Sequence, residues 1–281
     1  MKKAALLGYP LKHSLSPILH KKLSKFIDED VDYQFCEIKK EDFEKSIPEL
    51  KKLCGFNITI PYKLKIAEYL DCLDISAQKH KSVNTVKNFN GKSVGFNTDC
   101  VGFERCLEGE EIPILGKVCI VGVGGAGRMF ALECAERGCE IALALKKSSF
   151  ENYNSGNLKD LEIFKNQISE ISKKSVEVVS SDKICGKFDL LINASPVGMY
   201  PNVDEIPINS SALKNVKAVF DCIYNPKKTL LLKEAQNFGC KTCGGMAMLV
   251  WQAAAAQEIW FEKKFSNDDI QKVLREMEEI L

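Results

Sequence analysis

Apolar and polar positions follow two periods in turn along the first hundred residues, which predicts alternating strands and helices. AALLGYP, VDYQFCEI and GFNITIP have the short apolar or alternating pattern of strands. SVNTVKNFNGKSVGFN has the pattern of a hairpin with its turn at Asn90 and Gly91. SPILHKKLSKFI, DFEKSIPELKKL and YKLKIAEYL have helical spacing, and we expect Pro48 to interrupt the second. This alternation predicts an α/β sheet.

The first of these helices has a clear start signal. Ser16 suits the N-cap, and Pro17 suits the first helical position. One apolar stripe at helical spacing follows, formed by Leu19, Leu23, Phe26 and Ile27.

A second α/β unit is predicted to begin near Gly116. KVCIVGVGGAGRMFALECAERG has the pattern of a strand, a glycine turn and a helix, and EIALALK, SVEVV, KFDLLINAS and KAVFDCIY are further strands. This order predicts a Rossmann-type dinucleotide-binding domain, with a polar surface loop at residues 148–158. Two C-terminal helices are expected to pack back on the first domain. The predicted boundaries are 1–99, 100–240 and 241–281.

Charge and composition narrow the class of protein. The 281 residues carry a net charge of +1, which gives no strong attraction to nucleic acid or membranes. The apolar run near the start, Ala4 to Leu7, is too short for a signal peptide, and no later run reaches transmembrane length. We therefore expect a cytoplasmic protein with small-molecule partners, either a monomer or a homodimer.

The 12 cysteines are scattered and lie mostly in apolar runs, which is typical of buried thiols in a reducing compartment. Cys240 and Cys243 form a single CxxC. With only 3 histidines and no second CxxC, we expect no zinc site, and a redox role for this pair stays open.

Gly122, Gly124 and Gly127 form a G-x-G-x-x-G motif directly after a predicted strand and at the start of a helix. Such glycines allow a tight turn and a close approach of the backbone to a pyrophosphate, which the helix N-terminus then binds. The alternative is a glycine-rich turn that is needed only for packing.

The end of the next strand indicates which dinucleotide is bound. NAD-binding proteins usually place an acid there for the ribose 2′-hydroxyl. This chain has Leu145, Lys146, Lys147 and Ser148, and its first acid is Glu151. Two cations favour a 2′-phosphate and therefore NADP, whereas the alternative is a solvated basic corner.

Polar residues recur where strands or hairpins of the first domain end, which is where open α/β sheets bind ligands. Each has an ordinary explanation: an N-cap, a polar strand face, a turn, or an acid at a helix start. Together they favour a ligand site. The residues are Ser16, Asn57, Thr59, Asn84 and Asp99.

Gln252 is an amide on the apolar stripe of a C-terminal helix. A buried amide needs a hydrogen-bond partner, which here could be the backbone or a ligand.

With these motifs together, the chain resembles the shikimate dehydrogenases. The resemblance extends in order over GYPLKHSLSP, GFNITIPYK, SVNTV, GFNTDCVGF, GVGGAG, NASPVGMYP, DCIYNPKKTLLL and MLVWQAA. It implies two domains with the active site in the cleft between them. It also implies NADPH-dependent reduction of 3-dehydroshikimate to shikimate, a step of aromatic amino-acid biosynthesis.

The resemblance also implies roles for single residues. Lys63 corresponds to the family's catalytic lysine and Asp99 to its paired aspartate, and Ser14 and Ser16 correspond to the pair that binds the substrate carboxylate. Other positions that correspond to substrate contacts are Asn57, Thr59, Asn84, Tyr224 and Gln252. Positions that correspond to cofactor contacts are Gly122, Val123, Gly124, Gly125, Ala126, Cys222 and Gly245.

The chain departs from the family where many members have Asn-Arg-Thr after the second Rossmann strand. Here the residues are Leu145, Lys146 and Lys147, so the cation is kept as lysine and the asparagine is lost. We expect Lys146, with Lys147, to bind the 2′-phosphate.

Two other functions stay open from the sequence. One is a quinate-preferring enzyme that could use NAD, against which stand both serines of HSLSP and the missing acid after Leu145. The other is a metabolite sensor without turnover, against which stand Lys63 and Asp99, since a sensor needs no proton-transfer pair.

Overall fold

The computed structural model describes residues 1–11 and 14–280, and within them the chain forms two compact units. The first unit contains residues 1–102 and 249–280, and the second contains residues 103–248. Both units are α/β, each with one six-stranded sheet. Lys12 and His13, which belong to the GYPLKHSLSP motif, lie outside the described residues.

The first unit contains a mixed sheet. Its strands are β1 (Lys2–Gly8), β2 (Val31–Glu37), β3 (Gly55–Ile58), β4 (Cys72–Leu73), β5 (Thr85–Phe89) and β6 (Lys92–Phe96). The order across the sheet is β2-β1-β3-β5-β6-β4. β1 pairs in parallel with β2 and β3, whereas β5 runs antiparallel to β3 and β6. The hairpin turn predicted at Asn90 and Gly91 is confirmed, and both residues have the positive φ that a tight hairpin turn needs.

Three helices of this unit are α1 (Ser16–Phe26), α2 (Phe43–Leu50) and α3 (Ile75–His80). The prediction of Ser16 as N-cap is wrong, because the helix begins at Ser16 and Leu15 takes the cap position without a side-chain hydrogen bond. Pro48 does not interrupt α2, since the helix continues to Leu50.

The segment YKLKIAEYL is also shorter in structure than its pattern predicts. It forms only a 3₁₀ helix, Lys65–Tyr69, rather than an α-helix. Its start is occupied by a turn, in which the Tyr62 N–H donates to the Thr59 carbonyl at 3.0 Å. Lys63 therefore lies in a loop that leaves the end of β3.

The second unit contains an entirely parallel sheet. Its strands are β7 (Lys117–Val121), β8 (Glu140–Leu145), β9 (Val176–Ser180), β10 (Phe188–Asn193), β11 (Val216–Asp221) and β12 (Lys241–Gly244). The order is β12-β11-β10-β7-β8-β9. Counted from its own first strand, this is 3-2-1-4-5-6 read from the other edge, the Rossmann pattern in which the order reverses beside the first strand. The predicted Rossmann-type domain is thus confirmed, and its switch point lies between β7 and β10.

The helices of the second unit are α5 (Gly125–Glu136), α6 (Lys147–Asn154), α7 (Lys159–Ser172) and α8 (Leu230–Asn237). The loop predicted at residues 148–158 is wrong over α6. The polar pattern hid this helix because it buries no side chain, and only Ser149, Phe150 and Tyr153 are half-buried. The Tyr153 hydroxyl bonds to Glu162 of α7, which ties the two helices together.

The chain passes between the units within α4 (Thr98–Gly109) and α9 (Gly245–Phe261). The boundary that we expected near residue 240 lies at 248/249, because β12 pairs with β11 in the second sheet.

The C-terminal helices return to the first unit, as predicted. On α9, the Trp260 indole donates to the Val86 carbonyl at 2.9 Å. A Cβ on Gly55 would come within 2.2 Å of the same indole, so β3 needs a glycine here. The last helix, α10 (Asn267–Glu278), pairs Glu276 with Lys22 of α1. Within the described residues, no helix has both the length and the apolar character needed to cross a membrane.

Candidate active site

Lys63 and Asp99 form an ion pair in the first unit. Lys63 follows the end of β3, and Asp99 lies in the first turn of α4, where the helix dipole favours an acid. The Lys63 Nζ lies 2.7 Å from the Asp99 Oδ2, and the side chains are 30% and 23% exposed. The pair is therefore held in place but still accessible, as an acid–base group must be.

Asn84 orients this aspartate. Its Nδ2 donates to the Asp99 Oδ1 at 2.8 Å and to the Thr98 Oγ1 at 3.0 Å, and its Oδ1 accepts from the Thr98 N–H at 2.7 Å. Both Asp99 oxygens are thus hydrogen bonded within the protein. Asn84 itself is only 3% exposed.

Asn57 lies behind this group and is 6% exposed. Its Oδ1 accepts from the Tyr33 hydroxyl at 2.9 Å, and its Nδ2 donates to the Thr85 Oγ1 at 2.9 Å and to the Asn84 carbonyl at 3.3 Å. Both amide hydrogens therefore have protein partners. The amide connects the strands β2, β3 and β5.

Ser14 and Ser16 lie side by side and are half-buried at the start of α1. The Ser14 hydroxyl donates to the Ser16 hydroxyl at 3.1 Å, and the Ser16 N–H donates to the Ser14 hydroxyl at 3.3 Å. Two adjacent hydroxyls are a suitable pair of donors for a carboxylate.

The other predicted substrate residues of this unit have backbone partners. Thr59 is half-buried just beyond β3, and its N–H donates to the Leu7 carbonyl at 2.9 Å. Gln252, on α9, donates from Nε2 to the Leu249 carbonyl of its own helix at 3.0 Å. This is the backbone partner that the sequence left open, and Gln252 is half-buried.

The glycine motif forms the turn between β7 and α5. Gly122 has φ +90°, and a Cβ on Gly127 would meet the Gly122 carbonyl oxygen at 1.9 Å. Both positions therefore need glycine for the turn itself. In contrast, a Cβ on Gly124 or Gly125 would meet nothing within 4 Å.

The outer side of this turn can bind an anion. The first helical hydrogen bond runs from the Arg128 N–H to the Gly124 carbonyl, so the N–H groups of the three residues before Arg128 have no partner within the helix. They lie at the switch point, because a Cβ on Gly122 would touch Ser195, which follows β10. An exposed helix N-terminus that has only glycine and alanine in its first turn suits a pyrophosphate. The residues at this turn are Gly122, Val123, Gly124, Gly125 and Ala126.

Lys146 and Lys147 are exposed at the end of β8. Lys146 takes the N-cap position of α6 without a side-chain cap, and Leu145 is buried as the last residue of the strand. Two cations next to a helix N-terminus fit a phosphate better than an unmodified ribose.

Cys222 and Tyr224 follow β11 in the second unit, and Gly245 is the first residue of α9. A Cβ on Gly245 would come within 2.2 Å of the Cys222 carbonyl oxygen, so these two backbones pack directly. Burial raises the pKa of the Cys222 thiol to about 12, which excludes a thiolate near neutral pH. Tyr224 is half-buried, and burial raises its pKa as well.

In the comparison with known proteins, a family model matches the first unit, and whole-chain relatives cover both units. The family model of the shikimate dehydrogenase substrate binding domain matches residues 6–86. A shikimate dehydrogenase (NADP(+)) of Clostridium beijerinckii is 38% identical over 266 residues, which is 93% of this chain and 93% of the relative. The chain belongs to the shikimate dehydrogenase family.

Two solved structures of the family have the same fold. A crystal structure of a shikimate dehydrogenase in complex with NADP⁺ has a TM-score of 0.86 and 33% identity, and the match covers 99% of this chain and 96% of that one. The shikimate 5-dehydrogenase of Thermus thermophilus, in complex with NADP(H) and shikimate, has a TM-score of 0.81 and 27% identity over 98% of this chain and 99% of that one.

Two groups of polar residues in the structure were not singled out from the sequence. One consists of Tyr33, Thr85 and Thr98, which bond to the predicted site residues. Thr98 stands next to Asp99 in GFNTD, and that position is the only signal that could have indicated it. Tyr33 looks like an ordinary strand residue of VDYQFCEI.

The second group surrounds Asp221, a fully buried acid at the end of β11. It accepts hydrogen bonds from Asn193 at 3.0 Å, from the Thr229 hydroxyl at 2.6 Å and from the Ile223 N–H at 3.1 Å. Burial raises its pKa to about 6, although these bonds oppose the shift. Asn193 also accepts from the Ser195 hydroxyl at 2.7 Å, so the network fixes the loops that follow β10 and β11.

The thiols of the CxxC pair have separate partners. The Cys240 Sγ donates to the Val216 carbonyl at 3.1 Å, and the Cys243 Sγ donates to the Cys106 carbonyl at 3.6 Å. Both side chains are buried.

Proposed function

We propose that this protein is an NADP-dependent shikimate dehydrogenase, which reduces 3-dehydroshikimate reversibly to shikimate in aromatic amino-acid biosynthesis. The observation that carries the proposal is the accessible Lys63–Asp99 pair, held by Asn84 at the strand ends of the first unit. Its weight comes from family membership over more than nine-tenths of the chain.

Reduction of a ketone needs a hydride and a proton. NADPH supplies the hydride when it is bound. Lys63 supplies the proton from Nζ to the carbonyl oxygen, and the same ammonium stabilises the negative charge that develops on this oxygen. Asp99 keeps the ammonium in position, since its Oδ2 accepts from Nζ while Asn84 holds its Oδ1.

The substrate is bound by short hydrogen-bonding side chains. Ser14 and Ser16 bind its carboxylate through their adjacent hydroxyls. Thr59, Tyr224 and Gln252 contact the ring hydroxyls. Because such groups need partners, the site selects against analogues that lack a hydroxyl.

The second unit holds the cofactor. The free N–H groups at the start of α5 bind the pyrophosphate, and Lys146 with Lys147 binds the 2′-phosphate. Lysine is a point charge without the planar fork of arginine, so the preference for NADP over NAD is softer than arginine would give.

The protein acts in the cytoplasm on small molecules, as a monomer or homodimer and without nucleic acid. What supports this is the net charge of +1 and the scattered cysteines, which form no disulfide within the described residues.

A two-by-two kinetic assay tests the function. We expect turnover of shikimate with NADP to exceed that of quinate with NADP and of shikimate with NAD. Lys63→Ala should lower kcat by about 10²- to 10⁴-fold, the usual contribution of a positioned acid–base. Lys65→Ala is the matched control, because Lys65 lies two residues away but pairs with Glu44 at 2.9 Å. Equal losses in both variants, or a preference for quinate or NAD, would contradict the proposal.

A further inference from the structure

The strand β2 forms an open edge of the sheet in the first unit. The strand order leaves it paired with β1 alone. It has 7 residues, whereas the other edge strands in the described part of the chain, β4, β9 and β12, have 2, 5 and 4. Its sequence, VDYQFCE, has neither the proline nor the lysine with which many edge strands prevent pairing with another chain. It is therefore the edge best suited to accept a further strand.

The backbone of β2 shows which of its groups face this open edge. The Lys2 N–H donates to the Asp30 carbonyl at 2.7 Å, and the Ile38 N–H donates to the Gly8 carbonyl at 3.2 Å. Between these two bonds the strands pair in parallel without a shift in register, so the even-numbered residues of β2 bond to β1. The odd-numbered residues direct their N–H and carbonyl groups away from β1. They are Val31, Tyr33, Phe35 and Glu37.

The side chains in the middle of β2 are also open to solvent. Phe35 is 49% exposed, and Gln34 next to it is exposed as well. An exposed aromatic side chain on an open edge strand favours association with another strand. Gln34 has both a donor and an acceptor, so its amide can pair with a second copy of itself.

The charges at the two ends of β2 are opposite. Three acids precede the strand, Asp28, Glu29 and Asp30, and two lysines follow it, Lys39 and Lys40. Both lysines are exposed, and neither forms an ion pair within the described residues. An acidic start and a basic end are complementary to a second copy of the strand that runs in the opposite direction. A parallel copy would bring like charges together.

We propose that the open edge of β2 pairs with β2 of a second copy of this chain, antiparallel and with the twofold axis at Gln34. Each residue then lies opposite the residue that is equally far from Gln34 in the other copy. Tyr33 meets Phe35 through the outward backbone groups of both, in a hydrogen-bonded pair. At the ends, Asp28 comes opposite Lys40. This register uses the whole strand and the complementary charges together, as an interface between identical surfaces requires.

The size of this edge limits the affinity. A single strand edge buries less than the interface of about 1,600 Å² that is standard for stable complexes. We therefore expect a reversible dimer with a Kd of about 1–100 µM. The proposal does not depend on the proposed function, since it concerns the mass of the protein in solution and not its turnover.

The test is sedimentation equilibrium of the full chain over a series of concentrations. We expect the mass to rise towards twice that of one chain, and to rise less at high salt. Lys39→Glu combined with Lys40→Glu should raise Kd about 10-fold or more, because each reversal acts at both ends of a symmetric dimer. Lys51→Glu combined with Lys52→Glu is the matched control. These lysines are also adjacent and exposed, but they precede β3, which β1 separates from β2, and Kd should stay within about twofold.

A charge swap distinguishes pairing of β2 from a change in the fold. Asp28→Lys combined with Asp30→Lys should weaken the dimer as much as the reversal of Lys39 and Lys40 does, because lysines then meet lysines. Glu29 is left unchanged, since it already forms ion pairs within its own unit. When the two double variants are mixed, unlike charges meet at both ends. Native mass spectrometry of the mixture should therefore show a heterodimer, with an affinity close to that of the parent dimer.

Phe35→Pro tests the backbone pairing itself. It removes one outward N–H and the exposed ring, but no hydrogen bond to β1 is lost, and proline is tolerated on edge strands. It should abolish the dimer and leave the far-ultraviolet circular dichroism unchanged; if this variant does not fold, the charge swap decides alone. A parent that stays monomeric over the whole series would overturn the proposal. A dimer that the reversal of Lys39 and Lys40 leaves intact, or a mixture without heterodimer, would overturn it as well.

Discussion

A methyl group added at Gly127 should destabilise the glycine turn, whereas a methyl group added at Gly125 should affect cofactor binding without destabilising the turn. In Gly127→Ala the new Cβ would lie 1.9 Å from the Gly122 carbonyl oxygen and 3.4 Å from the Ala194 Cβ. The nearest atom belongs to the backbone, so it cannot rotate away as a flexible side chain would. Gly122 is itself held at φ +90°, against the backbone of Ser195.

The magnitude follows from this geometry. The turn or α5 must move by roughly 1 Å or more to restore an ordinary contact, and such overpacking destabilises a protein by about 1–3 kcal/mol. Because the obstacle is backbone, we expect the upper end, about 3 kcal/mol. For a unit of this size that corresponds to a fall in Tm of roughly 6–12 °C.

The assay is thermal unfolding followed by circular dichroism, together with KM for NADP. Gly125→Ala is the matched control, because its Cβ would meet nothing within 4 Å and its φ is not in the left-handed region. It should leave Tm within about 2 °C, since open surface allows alanine. Its methyl group nevertheless stands where the pyrophosphate is proposed to bind, so KM for NADP should rise.

Two results would refute this reasoning. A Tm of Gly127→Ala within about 2 °C of the parent would mean that the turn relaxes without strain. An unchanged KM for NADP in Gly125→Ala would mean that the pyrophosphate does not approach this turn.

Two further predictions concern the second unit. Burial raises the pKa of Asp221 from 3.8 to about 6. Between these two pH values the folded state keeps a proton on Asp221 that the unfolded state has lost. The free energy of unfolding should therefore fall by about 3 kcal/mol as the pH rises through this window. Asp221→Asn should remove this fall. In denaturant titrations, the stability of the variant relative to the parent should then rise by about 3 kcal/mol between about pH 4 and pH 7. A difference in stability that stays constant over this range would contradict the ionisation of Asp221. Lys146→Ala should lower the ratio of kcat/KM for NADP to kcat/KM for NAD by about 10-fold at fixed ionic strength. This is the low end of the range for a charge-assisted hydrogen bond, because Lys146 is exposed. An unchanged ratio would exclude Lys146 as the phosphate ligand.

The sequence predicted those parts of the fold whose cause is local. The hairpin at Asn90–Gly91 needs two residues with positive φ, and Asn followed by Gly is the pair of residue types that adopts this conformation most readily. The glycine spacing likewise indicated the turn after β7. The helix α6 was missed for the opposite reason, since it buries no side chain and leaves no apolar stripe.

The start of α1 shows a different limit. Ser16 followed by Pro17 is an ordinary N-cap signal, but Ser14 already bonds to the Ser16 N–H, and the helix begins one residue earlier than the signal indicates. The start of a helix depends on the backbone conformation of a single residue. Hydrogen bonds from neighbouring side chains can therefore shift this start by one position.

The partners of the candidate site residues could not be predicted, because they come from distant parts of the chain. Tyr33 bonds to Asn57 across 24 residues, and Asn57 bonds to Thr85 across 28. Periodicity shows which face of an element is buried, but it does not show which polar groups meet there. The residue types at the strand ends were therefore predictable, and their hydrogen-bond partners were not.

The hydrogen-bond partners also show that the polar residues of the candidate site have different roles. The sequence treats Asn57 and Asn84 as equal to Ser14, Ser16 and Thr59, since all are short polar side chains at strand ends. In the structure the two amides are 6% and 3% exposed, and their hydrogens already have protein partners. A direct contact of either amide with substrate stays a prediction.

A buried amide whose bonds are all made is costly to disturb, because removal of one partner leaves the others unpaired. It therefore suits a frame that holds Asp99 and Tyr33 in fixed directions. The half-exposed groups, Lys63 and the two serines, lie where a ligand can reach them. The polar strand ends thus combine a rigid buried layer, which fixes geometry, with an accessible layer, which we propose exchanges hydrogen bonds with substrate. We therefore expect mutations in the buried layer to change the geometry of the site, and mutations of Lys63 to change the proposed proton transfer.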